Sequence, residues 1–262
     1  MTASASSSAC KFVWYELMTS NLDAAEAFYK SVVGWSMADA GMPGGRYTLV
    51  SAGSDMVGGL MTLPPEAAAM GARPGWVGYV GVDDVDAAAA GVKAAGGAIH
   101  RPADDIPGVG RFAVVADPQG AAFVVFKGMG DMPAPQGGAD APGRVGWHEL
   151  SANDWESALA FYSQHFGWTK VDAMDMGPQG TYLLFATGAT AVGGMMNKMP
   201  QVPAPFWLFY FNTDDIDAAV ARVNAGGGQV VHGPMEVPGG SWIVNCMDPQ
   251  GAMFALVGPK KA

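Results

Sequence analysis

The chain has 262 residues, half of them apolar and 15% charged, and its net charge is −10. This length allows one or two domains with a buried core. The acidic balance argues against a nucleic-acid partner, because proteins that bind nucleic acids concentrate Lys and Arg on one surface. No segment approaches the roughly 20 apolar residues that a membrane span needs, so no membrane association is expected.

The first ten residues are small and polar, and we expect them to be disordered. They lack the basic and apolar regions of a signal peptide, so the predicted location is the cytoplasm. Cys10 lies in this stretch, and Cys246 is the only other cysteine. A structural disulfide is therefore not expected, in keeping with a reducing compartment.

A strand is predicted first, over 12–19, and a helix follows it. We predict that this helix begins at Ser20, with Asp23 three residues later as in a capping box, and that it ends at Gly34. Asn153 and Glu156 are the corresponding pair in the second half of the chain and predict a helix start there. Apolar residues at helical spacing give it one buried face. Further strands are predicted near 37, over 47–51 and over 56–61.

A Pro/Gly-rich loop from residue 64 precedes a second strand–helix–strand series. Its helix is predicted to open at Asp83 and to close at Gly96. The residues Asp-Pro-Gln-Gly at 117–120 are typical of a tight turn and predict a hairpin. The other elements are a strand over 76–82, a helix over 85–95, and strands near 99, over 112–116 and over 121–126.

The second half of the chain repeats the first at an offset between 131 and 135 residues, as Asp117 with Asp248 and Gly58 with Gly193 illustrate. An offset that varies so little indicates one shared fold with short loop insertions. The matched segments are 14–17 with 147–150, 27–29 with 160–162, 34–35 with 167–168, 58–59 with 193–194, and 117–120 with 248–251.

The stretch 128–144 between the repeats is rich in Gly, Pro and Ala, which is typical of a flexible linker. We therefore predict domains over 11–127 and 145–259, after a disordered 1–10. Each would contain paired βαβββ modules, which makes the fold class α+β with a curved, mostly antiparallel sheet.

These repeated motifs, in this order and spacing, resemble the vicinal oxygen chelate superfamily, which contains glyoxalases, bleomycin-resistance proteins and dioxygenases. The resemblance implies that each pair of modules curls into a cup. Metal-dependent members carry ligands on the first, fourth, fifth and eighth strands of the cup, where a divalent ion polarises substrate oxygens. The corresponding positions here are Trp14, Gly59, Val77 and Val124 in the first repeat, and Trp147, Gly194, Leu208 and Ala255 in the second.

None of these eight residues is a usual metal ligand, so we expect neither the usual metal site nor another cofactor. The resemblance also implies that single-domain relatives pair as dimers. Two copies within one chain would supply that pairing internally, which is compatible with a monomer.

Two carboxylates are the candidate catalytic residues. Side chains alternate along a strand, so Glu16 and Met18 would face the cup together with Trp14. Glu149 and Trp147 would do so in the second repeat. A carboxylate in an apolar cleft can act as a general base or hold a cationic ligand beside an indole ring. The alternative is a structural role, in which the Glu accepts hydrogen bonds from loop amides or pairs with an Arg.

Tyrosines complete the predicted ligand-binding set. Facing the cup, they would form an aromatic, partly acidic pocket for a planar or apolar small molecule, whereas aromatic core packing is the alternative. They are Tyr47, Tyr79, Tyr182 and Tyr210. His100 and His232 are the matched histidines and are expected at exposed strand edges.

Three functions follow from these observations. The first is a small-molecule-binding protein of the superfamily without the usual metal site. The second is a lyase, an isomerase or another enzyme of the glyoxalase or dioxygenase type, with Glu16 or Glu149 as the base. The third is an interaction protein that has kept the fold and lost the chemistry, whose cups would be filled by their own side chains.

Overall fold

The fold is given by a computed structural model that describes residues 10–42, 45–130 and 138–261. Two strand–helix series make up the first repeat. They are β1 (Phe12–Thr19), α1 (Leu22–Val32), β2 (Ser36–Asp39), β3 (Tyr47–Ala52), β4 (Asp55–Thr62), α2 (Pro65–Ala69), β5 (Gly75–Gly81), α3 (Val85–Ala94), β6 (Ala98–Ile106), β7 (Gly110–Ala116) and β8 (Ala122–Gly128).

The second repeat has the same order of strands and long helices, and a 3₁₀ turn at Gly177–Gln179. Its elements are β9 (Val145–Ala152), α4 (Trp155–Phe166), β10 (Thr169–Asp175), β11 (Thr181–Ala186), β12 (Ala191–Asn197), β13 (Phe206–Asn212), α5 (Ile216–Ala225), β14 (Gln229–Glu236), β15 (Trp242–Met247) and β16 (Met253–Gly258).

Each repeat forms one eight-stranded sheet, with strand orders β2-β3-β4-β1-β5-β8-β7-β6 and β10-β11-β12-β9-β13-β16-β15-β14. Consecutive strands such as β3 and β4 pair antiparallel, whereas β1 with β4 and β5 with β8 pair parallel. The hairpin predicted at 117–120 joins β7 to β8, which pair antiparallel. The predicted α+β class with two repeated domains of this type is confirmed.

The predicted helix starts were wrong by one residue. The N-cap of α1 is Asn21, whose side chain accepts a hydrogen bond from the backbone amide of Ala24. The α4 cap is Asp154 instead of Asn153, and its carboxylate accepts from two backbone amides of the first turn. Both caps have extended backbone and a short acceptor side chain, which is the geometry that satisfies the free amides of a first turn. Likewise α3 is capped by Asp84 rather than Asp83.

The described chain divides into two compact units. Of the described residues, unit 1 comprises 10–13, 78–130 and 149–207, and unit 2 comprises 14–42, 45–77, 138–148 and 208–261. Each unit therefore combines half of one repeat with half of the other, with α3 and α4 in unit 1 and α1 and α5 in unit 2. The consecutive domain bounds stay a prediction.

An aromatic cluster forms the core of unit 1. The Tyr162 ring stacks on Trp168 with centroids 4.7 Å apart, and Trp168 stacks on Phe185 at 4.8 Å. In unit 2 the equivalent Tyr29 and Trp35 stack at 5.7 Å. Such pairs add about 0.5–1.5 kcal/mol each beyond the burial of their area.

The repeated Gly-Trp motif has the same structural role in both units. The glycine has positive φ and ends the first helix of its repeat, and the tryptophan that follows turns into the core. The Trp168 indole Nε1 donates to the Cys10 carbonyl at 2.7 Å, and Trp35 Nε1 donates to the Gly143 carbonyl at 2.7 Å. Each tryptophan therefore anchors the segment that leads into the first strand of the other repeat.

The part of the predicted linker that the structure describes is tied to unit 2. The backbone of Gly143 donates to Asn212, whose own amide donates to the Arg144 carbonyl, both at 2.8 Å. The Arg144 guanidinium also pairs with Asp55, with both side chains mostly buried. Residues 131–137 of the predicted linker, and 1–9 of the predicted disordered N-terminus, lie outside the described residues.

Candidate functional site

Four predicted site positions of unit 2 meet on β1, β3 and β4, and we call them the Glu16 cluster: Trp14, Glu16, Tyr47 and Gly59. Glu16 lies opposite Gly59 in the parallel pairing of β1 with β4. The Trp14 indole Nε1 donates to the Tyr47 hydroxyl at 3.0 Å, and this hydroxyl is hydrogen-bonded to the Glu16 carboxylate. Glu16 is 7% exposed, so the cluster holds a carboxylate nearly out of water.

The repeated Gly-Gly motif makes this arrangement possible. A Cβ atom on Gly59 would overlap the ring of Tyr47, and one on Gly58 would lie 2.6 Å from the Tyr15 carbonyl oxygen. Because neither glycine has a side chain, β4 lies close to β1 and the Tyr47 ring covers the strand. The tyrosine thereby reaches Glu16.

The electrostatics of the Glu16 cluster favour a neutral tyrosine. Burial raises the pKa of Tyr47 well above its usual value, and the neighbouring Glu16 charge raises this pKa further. The hydrogen bond from Trp14 acts in the opposite direction and is outweighed. Tyr47 is therefore a protonated hydrogen-bond donor at neutral pH, and Glu16 is its acceptor.

Unit 1 contains an equivalent arrangement, the Glu149 cluster of Glu149, Tyr182 and Gly194. The Tyr182 hydroxyl donates to Glu149 Oε2 at 2.9 Å. A Cβ atom on Gly194 would again overlap the tyrosine ring. Glu149 is half-buried and so is more exposed to solvent than Glu16. The two clusters share their chemistry and differ in hydration.

The other predicted ligand-binding residues are placed as follows. Met18 lies half-buried on β1, opposite Met61. Tyr79 is 6% exposed and pairs with Val124 in unit 1. Tyr210 is 2% exposed on β13 in unit 2. Trp147 is half-buried and belongs to unit 2, whereas the Glu149 cluster belongs to unit 1. Their ligand-binding role stays a prediction.

The residues at the metal-ligand positions of the superfamily do not fit a metal ion. Gly59 and Gly194 offer no donor atom there, and a tyrosine ring covers each glycine. Within 10–42, 45–130 and 138–261, no group of three or more His, Cys, Asp or Glu side chains is close enough to hold a metal. His100 and His232 are exposed on β6 and β14.

Sequence reasoning missed two buried hydrogen-bond chains. In unit 1, the Trp207 indole Nε1 donates to the Tyr162 hydroxyl at 3.1 Å, and this hydroxyl donates to Asp117 at 3.1 Å. In unit 2 an equivalent chain runs through Trp76, Tyr29 and Asp248, at 2.9 and 3.1 Å. These residues recur in both repeats, but nothing in the sequence indicates that the tyrosine of one repeat meets the aspartate of the other.

A hydrogen bond between a histidine and a tyrosine was also unexpected. His148 is 7% exposed, and its Nε2 lies 2.6 Å from the Tyr15 hydroxyl in unit 2. His148 occupies the position of Tyr15 in the repeat, so equivalent positions of the two first strands are hydrogen-bonded to each other.

Comparison with known proteins identifies the family of the chain. The Glyoxalase/Bleomycin resistance protein/Dioxygenase superfamily matches residues 11–125 and 144–256. A Mycobacterium tuberculosis protein named "Putative glyoxylase CFP32" is 35% identical over 249 residues, which cover 94% of each chain. The anthracycline biosynthesis protein DnrV of Streptomyces peucetius is 32% identical over 257 residues, covering 93% of this chain and 91% of that protein.

Among solved structures, the Mn(II)-bound glyoxalase from Novosphingobium aromaticivorans has a similar fold. The TM-score is 0.63 at 17% identity, with 97% of this chain and 83% of that chain covered. No helix in the described part of the chain is long and apolar enough to cross a membrane. The two family matches cover both repeats, and the chain belongs to the Glyoxalase/Bleomycin resistance protein/Dioxygenase superfamily.

Proposed function

We propose that the protein binds a planar aromatic small molecule at its Glu16 and Glu149 clusters without the usual metal ion of its superfamily. One observation carries the proposal: in both repeats a tyrosine lies over a glycine and is hydrogen-bonded to the first-strand glutamate. Where metal-dependent relatives would carry a ligand on the fourth strand, this chain has a glycine under a phenol ring.

The chemistry of the Glu16 cluster suits such a ligand. The half-buried rings of Trp14 and Tyr47 offer apolar area for stacking, and the Glu16 carboxylate accepts a hydrogen bond from a hydroxyl or ammonium group. The relative named for anthracycline biosynthesis supports this ligand class, since anthracyclines are planar, aromatic and hydroxylated.

Titration with an anthracycline, followed by the fluorescence of the ligand, tests the proposal. We expect saturable binding that weakens at least about tenfold in the double variant Glu16→Gln, Glu149→Gln, because each change removes a charged acceptor worth about 1.5–3 kcal/mol. Glu66→Gln, on the exposed helix α2, removes one charge at the surface and is the control. Equal binding by all three proteins would contradict the proposal.

The metal part of the proposal has its own test. Elemental analysis of native protein, purified without chelators, is expected to find Zn, Ni, Fe and Mn far below one equivalent per chain. A stoichiometric amount of any of them would overturn this part, and would leave the ligand-binding part to be decided by the titration.

A second candidate is an enzyme in which Glu16 removes a proton from a small metabolite. The burial of Glu16, which is 7% exposed, favours it, because a carboxylate in an apolar site can act as a general base. Replacement of Glu16 by Gln would then abolish turnover of a substrate while binding is retained. Unchanged turnover in this variant and in Glu149→Gln would rule out the role.

A further inference from the structure

A cavity of about 290 Å³ lies in unit 1, and no residue of the Glu149 cluster lines it. Its walls are helix α4, the C-terminal end of α3 and the Asp-Pro-Gln-Gly turn between β7 and β8. The lining includes Ala95, Asp117, Phe161, Gln164 and His165, and none of the predicted site residues. Its volume is near the lower end of the roughly 300–1,000 Å³ typical of small-molecule pockets.

In unit 2 a phenylalanine ring closes the space that corresponds to this cavity. There Phe28, the equivalent of Phe161, packs against Gly226 and Gly228 after α5, and a Cβ atom on either glycine would lie 2.9 Å from its ring. The same ring meets Phe254 with centroids 5.8 Å apart. The approach of α1 to α5 therefore depends on glycine.

Two substitutions remove this closure in unit 1. Ala95 stands where unit 2 has Gly226, so a methyl group occupies the space that the phenylalanine would enter. Phe166 replaces Val33 and packs on Phe123 at 5.4 Å. In unit 1, Phe166 thus covers the surface that corresponds to the one covered by Phe28 in unit 2, and Phe161 lies in the cavity wall.

The wall carries negative charge. Asp117 is 3% exposed and accepts hydrogen bonds from Tyr162 and from the backbone amides of Gln119 and Ala121, at 2.8–3.1 Å. Among the residues that the structure describes, no Lys or Arg lines the cavity. Burial raises the pKa of Asp117, so a nearby cation would stabilise its charged form.

We propose that this cavity binds a small organic cation with an apolar body, its positive group near Asp117 and its body against Ala95 and Phe161. The aromatic ring and the aliphatic wall receive the apolar part, and the net charge of −10 favours the approach of cations. This site is independent of the function proposed for the glutamate clusters.

Nuclear magnetic resonance titration of the full chain with benzylammonium tests the proposal. We expect saturable shifts of the amides of Ala95, Gln119 and Gln164. Benzyl alcohol, which has the same shape without charge, is expected to bind at least about tenfold more weakly, the equivalent of about 1.4 kcal/mol. Absence of saturable shifts, or equal binding of the two compounds, would overturn the proposal.

Matched variants locate the binding. Ala160 lines the cavity and is exposed on α4, so Ala160→Phe is expected to block the site and abolish the shifts. Ala27→Phe makes the same change at the equivalent exposed position of α1 and is expected to leave binding intact. Asp117→Asn should weaken the ammonium only, and Asp248→Asn should have no effect. Shifts that persist in Ala160→Phe would refute the site even if Asp117→Asn fails to fold.

Discussion

Replacement of Tyr162 by Phe should destabilise unit 1 more than its small change in volume suggests. The variant leaves the buried Trp207 Nε1–H without its acceptor and removes a donor from Asp117. An orphaned buried donor costs about 1–3 kcal/mol, and a hydrogen bond to a charged group contributes about 1.5–3 kcal/mol. Since Asp117 keeps two backbone donors, we expect a loss of about 2–5 kcal/mol at pH 7.

The loss should depend on pH, with a sign fixed by Asp117. Burial raises the pKa of this carboxyl in the folded protein, and the Tyr162 hydrogen bond holds it down. Without that bond the folded pKa rises further, so Tyr162→Phe loses most stability above the folded pKa and progressively less as the pH falls through it and the carboxyl gains its proton.

Urea unfolding at pH 7 and pH 4 measures both effects. With a slope of about 2 kcal/mol/M, the midpoint at pH 7 should fall by about 1–2.5 M. Tyr29→Phe makes the same change in the equivalent chain of unit 2 and should behave alike. In an Asp117→Asn background the pH-dependent part of the loss should vanish. A cost below about 1 kcal/mol at pH 7 would contradict this role of the Tyr162 hydroxyl, as would equal costs at the two pH values.

Three further outcomes are expected. Gly59→Ala should displace the Tyr47 ring and weaken ligand binding by about tenfold or more in the anthracycline titration, since the tyrosine–glutamate bond is lost; unchanged affinity would contradict the role of the glycine. Gly91→Ala should instead stabilise the protein by up to about 1 kcal/mol and so raise its thermal midpoint, because the new Cβ would meet His165 at an ordinary 3.5 Å and α3 would gain helix propensity. A lower midpoint would be inconsistent with this packing. The Cys246 thiol is buried and its pKa is raised to about 12, so iodoacetamide at pH 8 should label Cys246 only in denaturant, as peptide mass analysis that separates it from Cys10 would show. Rapid labelling of Cys246 itself in the folded protein would argue against its burial.

The fold was predictable because its sequence signals occur twice in the chain. The same strand, helix and turn signals recur in order, and the Gly58-Gly59 pair recurs with them. What the sequence did not reveal is why the second glycine is needed. Gly59 is needed because the ring of Tyr47, twelve residues earlier on another strand, covers it to reach Glu16. Contacts between side chains on different strands depend on which strands pair, here β4 with both β1 and β3, and no local pattern within one strand gives that pairing.

The helix starts illustrate a smaller limit. Ser20 and Asn21 are both good caps, and the sequence does not say which of them has extended backbone and an acceptor aimed at the first turn. The structure selects Asn21, and in α4 it selects Asp154 over Asn153. The position of the cap depends on the path of the chain from β1 into α1 and from β9 into α4, which is a tertiary constraint.

The tandem arrangement has a physical consequence within each unit. Asp117 and Asp248 are turn residues of their own repeats, and each accepts a hydrogen bond from a helix tyrosine of the other repeat. Without this donor the buried carboxylate would keep only the backbone donors of its own turn, and its desolvation would be less fully compensated. The core of neither unit is therefore complete with residues of one repeat alone. The duplicated sequence therefore specifies two mixed cores, and differences between the repeats, such as Ala95 against Gly226, can open a cavity in one unit while its counterpart stays closed.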